Sequence, residues 1–267
     1  MSINTQNFVP YHLVDISPWP FLTSLSVLGI TFGGVFWWHY GSFLVLVVGF
    51  SITLWLSANW WTDVSNESSL GWHSSYVITG LQLGMLLFIL SEVFFFFSFF
   101  WSYFHNCWSS VDELGWVWPP YGFNSVLVDP FSIPLLNTII LLTSGVTVTW
   151  CHHSLLQESY SESVISLFLT CCLGGFFLFM QVLEYSLSYF SINSTSYGTV
   201  FFLLTGFHGM HVIVGTIFLS VCLFRLIIYD FNNTHHVGFE SAAWYWHFVD
   251  VVWLFLFFFV YWYGFLL

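Results

Sequence analysis

The chain has 267 residues, of which 58% are hydrophobic, 24% aromatic and only 5% charged. A soluble globular domain carries about 25% charged residues, so that class is excluded, and unbroken apolar runs speak for membrane helices rather than the alternating strands of a barrel. The formal net charge is −12 with one basic residue, Arg225, which leaves no cationic surface for nucleic acid and nothing for the positive-inside rule to count.

In chain order, residues 1–20 are a polar lead-in without a basic residue or an apolar core. They read as neither a secretory signal nor an Arg-rich transit peptide, so insertion is expected through the chain's own helices. Thirty-four Phe and no Lys suggest the codon bias of an organellar genome. The prolines around Trp19, Pro18 and Pro20, suit an interfacial entry to a first span at about 21–38. Gly29, Gly33 and Gly34 there would permit close helix contact. An aromatic belt and turn at 37–41 precedes a second span, about 42–61, closed by Trp60 and Trp61. Residues 62–75 are polar and read as a membrane-surface linker.

The third span, about 76–105, carries Glu92. Residues 106–130 are rich in Pro and Gly, which forbids a helix through them. A fourth span, about 131–153, has Pro134 in its first turn, and a short acidic loop, 154–161, follows. The fifth, about 163–190, holds Gln181 and Glu184. The sixth, about 197–228, holds His208, His211 and Arg225, and the seventh, about 239–265, holds Glu240, His247 and Asp250. The expected fold is an all-α polytopic membrane protein of seven transmembrane helices. Its parts are an N-terminal segment and helix pair (1–61), the linker (62–75) and a five-helix bundle (76–267). The five cysteines lack C-x-x-C spacing and read as small apolar residues, not as a disulfide or zinc framework.

Glu92 is the one charged group in the apolar run 86–101. A charge at mid-membrane costs about 2.5–3.5 kcal/mol on insertion scales. Glu92 is therefore neutral, hydrogen-bonded inside a bundle, or facing a wet or lipid-filled cavity. His208 and His211 are three apart, and Glu240, Trp244, His247 and Asp250 form one polar-aromatic stripe at helical spacing. The bland reading is an interhelical polar network that fixes register. Two sharper readings are haem or copper ligation, which would need His208 and His247 to meet, and a proton relay through Glu92, Glu184, Glu240, His247 and Asp250. The pairs His152-His153 and His235-His236 sit at span ends and read as interfacial. No P-loop, nucleotide-binding glycine fingerprint or serine elbow is present.

Several segments together resemble the cytochrome c oxidase subunit III family of the haem–copper oxidases. The most specific are Tyr197 to Thr216, with Phe207-His208-Gly209-Met210-His211 at its centre, and His235 to Leu256, with Phe239-Glu240-Ser241-Ala242-Ala243-Trp244-Tyr245-Trp246-His247-Phe248-Val249-Asp250. Trp118-Pro119-Pro120, Pro134 to Thr138, Ser144 to His153, Ser91-Glu92-Val93 and Ser17-Pro18-Trp19-Pro20 fit as well, and the match follows the whole chain in order.

The resemblance implies seven helices, with the first two splayed from the other five around a V-shaped cleft that holds phospholipids. It implies a non-catalytic subunit with no haem, copper or other metal of its own, those centres lying in neighbouring subunits. Such a subunit packs mainly on subunit I, meets subunit II and other members of the complex, protects it from turnover inactivation and supports proton uptake. The implied place is the mitochondrial inner membrane. Glu92 corresponds to the family's carbodiimide-reactive carboxyl. Where the family usually has Arg-Asp and then Arg-Glu, this chain has Thr62-Asp63 and Asn66-Glu67. Lipid head-group contacts are then expected from Trp60, Trp61, Glu67, His73 and Arg225, with less electrostatic hold. A quinol-oxidase subunit III, commonly lacking the first two helices, and an independent proton-coupled transporter are the alternatives.

Overall fold

The computed structural model describes residues 11–109, 117–120 and 127–266, and among them the regular structure is helical throughout. Its helices are α1 (Trp19–Tyr40), α2 (Leu44–Ser69), α3 (Ser75–Trp108), α4 (Ile133–Leu156), α5 (Tyr160–Leu187), α6 (Ser196–Ile227) and α7 (Val237–Phe255). A π-helical segment, Leu256–Tyr263, and a last turn, α8 (Gly264–Leu266), continue α7. Counting that continuation with α7, seven helices among the described residues are long and apolar enough to cross a membrane. The bilayer explains the preference, because a helix satisfies its backbone groups within one segment where no water can.

Two boundaries differ from the expectation. The stretch taken as a surface linker is helical to Ser69, so α2 runs two turns past Trp61. Its Thr, Asn and Ser side chains fold back on preceding carbonyls, as when Thr62 Oγ1 donates to Ala58 O at 2.7 Å and Ser69 Oγ to Asn66 O at 2.9 Å. Polarity marks the exit from the apolar layer there, not the end of the helix. α3 likewise continues to Trp108, while most of the segment expected to be non-helical, residues 110–116 and 121–126, lies outside the described residues.

The chain forms two compact units, Met1–Leu81 and Gln82–Leu267, which meet within the residues of α3. In the first unit α1 and α2 pack closely. A Cβ at Gly33 would lie 2.6 Å from the Leu46 nitrogen, and one at Gly49 would lie 3.0 Å from the Gly29 carbonyl carbon, so small residues set the helix separation. Gly34 faces open space and takes no part in this contact. Thr53 donates to Ser26 across the pair at 2.9 Å. Gly41 ends α1 in the left-handed region (φ 71°), where glycine pays no steric penalty, and its N–H reaches Trp37 O.

The second unit is built on Trp246 of α7, which is fully buried. Its indole N–H donates to Ser144 Oγ of α4 at 2.9 Å. A Cβ at Gly174 of α5 would lie 2.7 Å from its ring, and one at Gly215 of α6 2.9 Å. One side chain thus fixes four helices, with two glycines making room for it. Deeper along α7, Trp253 donates to Thr138 Oγ1 at 3.0 Å. α3 meets this core through rings, among them Phe95 against Phe207 (5.1 Å) and Phe96 against Phe248 (6.0 Å). The Tyr103 hydroxyl of α3 donates to Phe259 O in the π-helical segment at 3.0 Å, a carbonyl on a stretch with altered backbone pairing. All five cysteines are free.

Candidate functional site

Glu92 faces α6, where its Oε2 lies 2.9 Å from His211 Nε2. The other ring nitrogen, Nδ1, lies 2.7 Å from Phe207 O. A carbonyl only accepts, so Nδ1 carries a hydrogen. One further proton must then lie between Nε2 and Oε2. The pair is either a carboxylic acid on a neutral imidazole or a carboxylate on an imidazolium, and is neutral overall in both forms. This removes the net charge that made Glu92 costly at this depth. Phe95, Phe96, Tyr245 and Phe248 surround the imidazole at centroid distances of 4.9–6.3 Å. The two side chains keep 22% (Glu92) and 14% (His211) of their surface, so the pair is shielded but reachable.

The residues expected to share one polar network fall into separate groups. His208 is buried, with Nε2 3.2 Å from Val249 O and its ring against Phe177 and Trp253. It does not meet His247, so the ligand pair that a haem or copper site would need is not assembled from these two. His247 is exposed, and its Nδ1 lies 3.8 Å from Asp250 Oδ2. Asp250 is buried over α4, where a Cβ at Gly145 would lie 2.7 Å from that oxygen. Glu240 belongs to a third group, in which Gln82 of α3 donates its amide to Oε2 at 2.8 Å. The other carboxylate oxygen faces His236 Nε2 at 3.5 Å, and His236 Nε2 lies 3.4 Å from His152 Nε2. This is a set of ligand-type atoms, all within 4.8 Å of one another, that could hold a metal ion.

Gln82, His152 and His236 were not singled out as site residues by sequence reasoning. The available signal was histidines at two span ends and an amide ten residues before Glu92 in the third span. A buried pair was missed too: the Tyr261 hydroxyl donates to Glu184 Oε1 at 2.6 Å.

Of the residues expected to meet lipid, Trp60, Glu67 and His73 line a cavity of about 580 Å3 within the first unit, together with His12, Asp15, Trp19 and Asp63. Trp61 is exposed and is not among its lining residues. His12 stacks on Trp72 (5.3 Å) with Nε2 3.5 Å from Glu67, and the Trp19 indole N–H donates to Asp63. Arg225 belongs to the second unit, where its Nε donates to Asp230 Oδ2 at 2.7 Å and its guanidinium lies 4.6 Å from the Phe231 ring centre. Any phosphate taken by Arg225 would therefore meet the Nη groups of a cation that already has a counter-charge.

Residues 9–265 match the protein family described as cytochrome c oxidase subunit III. Among curated relatives, the cytochrome c oxidase subunit 3 of the dogfish Scyliorhinus canicula is 50% identical over 96% of this chain and 97% of its own length. The protein of the same name from Chondrus crispus is 52% identical over 96% of this chain and 94% of its own. That from Aedes aegypti is 50% identical over 96% and 97%.

Proposed function

Because the chain belongs to the cytochrome c oxidase subunit III family, we propose that it serves as a subunit without a redox centre in a terminal oxidase that passes electrons from cytochrome c to O2. In this reading it packs chiefly on the haem-bearing subunit I, holds phospholipid, and supports proton uptake in the mitochondrial inner membrane. The observation that carries it is the Glu92–His211 pair: a neutral acid–base couple with a shared proton, its imidazole ringed by Phe95, Phe96, Tyr245 and Phe248. Such a pair can exchange its proton between two sites without leaving a bare charge in the low-dielectric layer.

The lipid role draws on the first unit's cavity. Its lining includes Asp15, Asp63 and Glu67 and no Lys or Arg. That charge pattern favours a zwitterionic head group, whose amine can face the carboxylates, over an anionic one. The Trp19 and Trp60 rings would then flank the glycerol region, the level at which indoles settle in bilayers.

Glu92→Gln in the intact complex tests the proton role. The expected result is faster inactivation during turnover with haem and copper content unchanged. Turnover and inactivation indistinguishable from wild type would reduce the chain to a scaffold.

A further inference from the structure

The cluster formed by His152, His236 and Glu240 has no part in the function argued above. His152 is in the last turns of α4, His236 caps α7, and Glu240 lies in the first turn of α7. His236 Nδ1 lies 3.0 Å from Asn232 O, an acceptor, so its hydrogen is on Nδ1 and the lone pair of the neutral ring is at Nε2. Gln82 donates to Glu240 Oε2, and Oε1 is the oxygen beside His236. Lone pairs from His236 Nε2 and Glu240 Oε1 thus face each other at 3.5 Å, with His152 Nε2 at 3.4 Å from the first. Both separations exceed the roughly 2.7–2.9 Å of a charge-assisted hydrogen bond. They lie close to the edge of a tetrahedron around a cation with bonds of about 2.0–2.1 Å, which is about 3.3–3.4 Å, and the third separation, between the His152 and Glu240 ligand atoms, is within 4.8 Å.

We propose that His152, His236 and Glu240 form a binding site for a divalent cation of the zinc class, with a fourth position left to water. The donor set is two imidazoles and a carboxylate, which suits zinc better than magnesium or calcium. The outer contacts are in place: Asn232 O orients one imidazole and the Gln82 amide orients the carboxylate, as partners of metal ligands ordinarily do. The positive end of the α7 dipole opposes a cation here, and Glu240 in the first turn offsets it. Arg225, the chain's one cation besides histidine, has its charge matched by Asp230. A bound ion would tie the end of α4 to the start of α7 and, through Gln82, to α3. The family resemblance assigns no metal to this chain, and 84 residues separate the two histidines, so the sequence does not bring them together.

The test is zinc binding by the purified full-length chain in lipid nanodiscs after chelator washing, with ZnSO4 as the probe. The expected result is one zinc retained per chain, with X-ray absorption at the zinc edge showing two imidazoles and oxygen ligands and no sulfur. His152→Asn and Glu240→Gln should each weaken binding at least about 10-fold, the scale on which even outer-shell contacts act. His153→Asn, which alters an exposed neighbour, should leave it unchanged. Absence of retained zinc, sulfur ligation, or equal affinity in the His152 and Glu240 variants would overturn the proposal. The wild-type absorption spectrum decides the matter if a variant fails to fold.

Discussion

Replacing Gly174 by Ala should destabilise the chain, whereas the same change at Gly175 should not. A Cβ at Gly174 would lie 2.7 Å from Trp246 Cη2 and 2.9 Å from Thr216 Oγ1, both inside normal contact. The indole has no room to withdraw. Its N–H is held by Ser144 Oγ at 2.9 Å, and on the α6 side Gly215 already lies so near that its own Cβ would come within 2.9 Å of the ring. Overpacking of this kind costs roughly 1–3 kcal/mol. Both substitutions share the gain in helix propensity, up to about 1 kcal/mol. At Gly175 nothing lies within 4 Å of the added carbon, so the gain stands alone. Gly174→Ala should therefore lie about 1–3 kcal/mol below Gly175→Ala in stability, the shared term cancelling. Thermal unfolding of the purified full-length chain, followed by circular dichroism and tryptophan fluorescence, reads the difference. Equal midpoints for the two variants would refute the view that Trp246 is clamped between α5 and α6.

Glu92→Leu should lower stability by about 1–3 kcal/mol in the same assay, because it strands His211 Nε2 in a cage of aromatic rings, while Glu92→Gln, whose amide can still donate to that nitrogen, should stay close to wild type. Tyr261→Phe should cost about 1–3 kcal/mol, since it takes the 2.6 Å donor from the buried Glu184 carboxyl without supplying another; a midpoint equal to wild type would mean that the hydroxyl is dispensable.

The spans were legible in the sequence because each is an apolar run of about the length that crosses the hydrocarbon layer, and a helix satisfies the backbone groups of such a run within one segment. Their ends were less so. Residues 62–69 look like a loop by polarity, yet Thr62 and Ser69 bond back to their own helix, which composition does not reveal. The π-helical segment at 256–263 is a run of Leu, Phe, Val, Tyr and Trp that reads like any other apolar turn. For the site, Glu92 and His211 were each visible as polar residues in apolar surroundings, but their pairing spans 119 residues and depends on the rotation of α3 against α6. The stripe of Glu240, His247 and Asp250 divides between two sets of neighbours for a related reason. Helical spacing places residues on one side of α7, but the partners come from other helices: Gln82 for Glu240, and the bare backbone at Gly145 beside Asp250. The glycines opposite Trp246 carried a usable signal, small residues in apolar helices, without saying which large ring they admit.

Membership of a working oxidase is tested by isolating this chain from its native membrane in mild detergent and measuring haem absorbance and cytochrome c-driven oxygen consumption on the product. The chain is expected to come away in fixed ratio with haem-bearing partners, in a preparation that consumes oxygen at the expense of reduced cytochrome c. A chain recovered alone, free of haem and without oxidase activity, would contradict it.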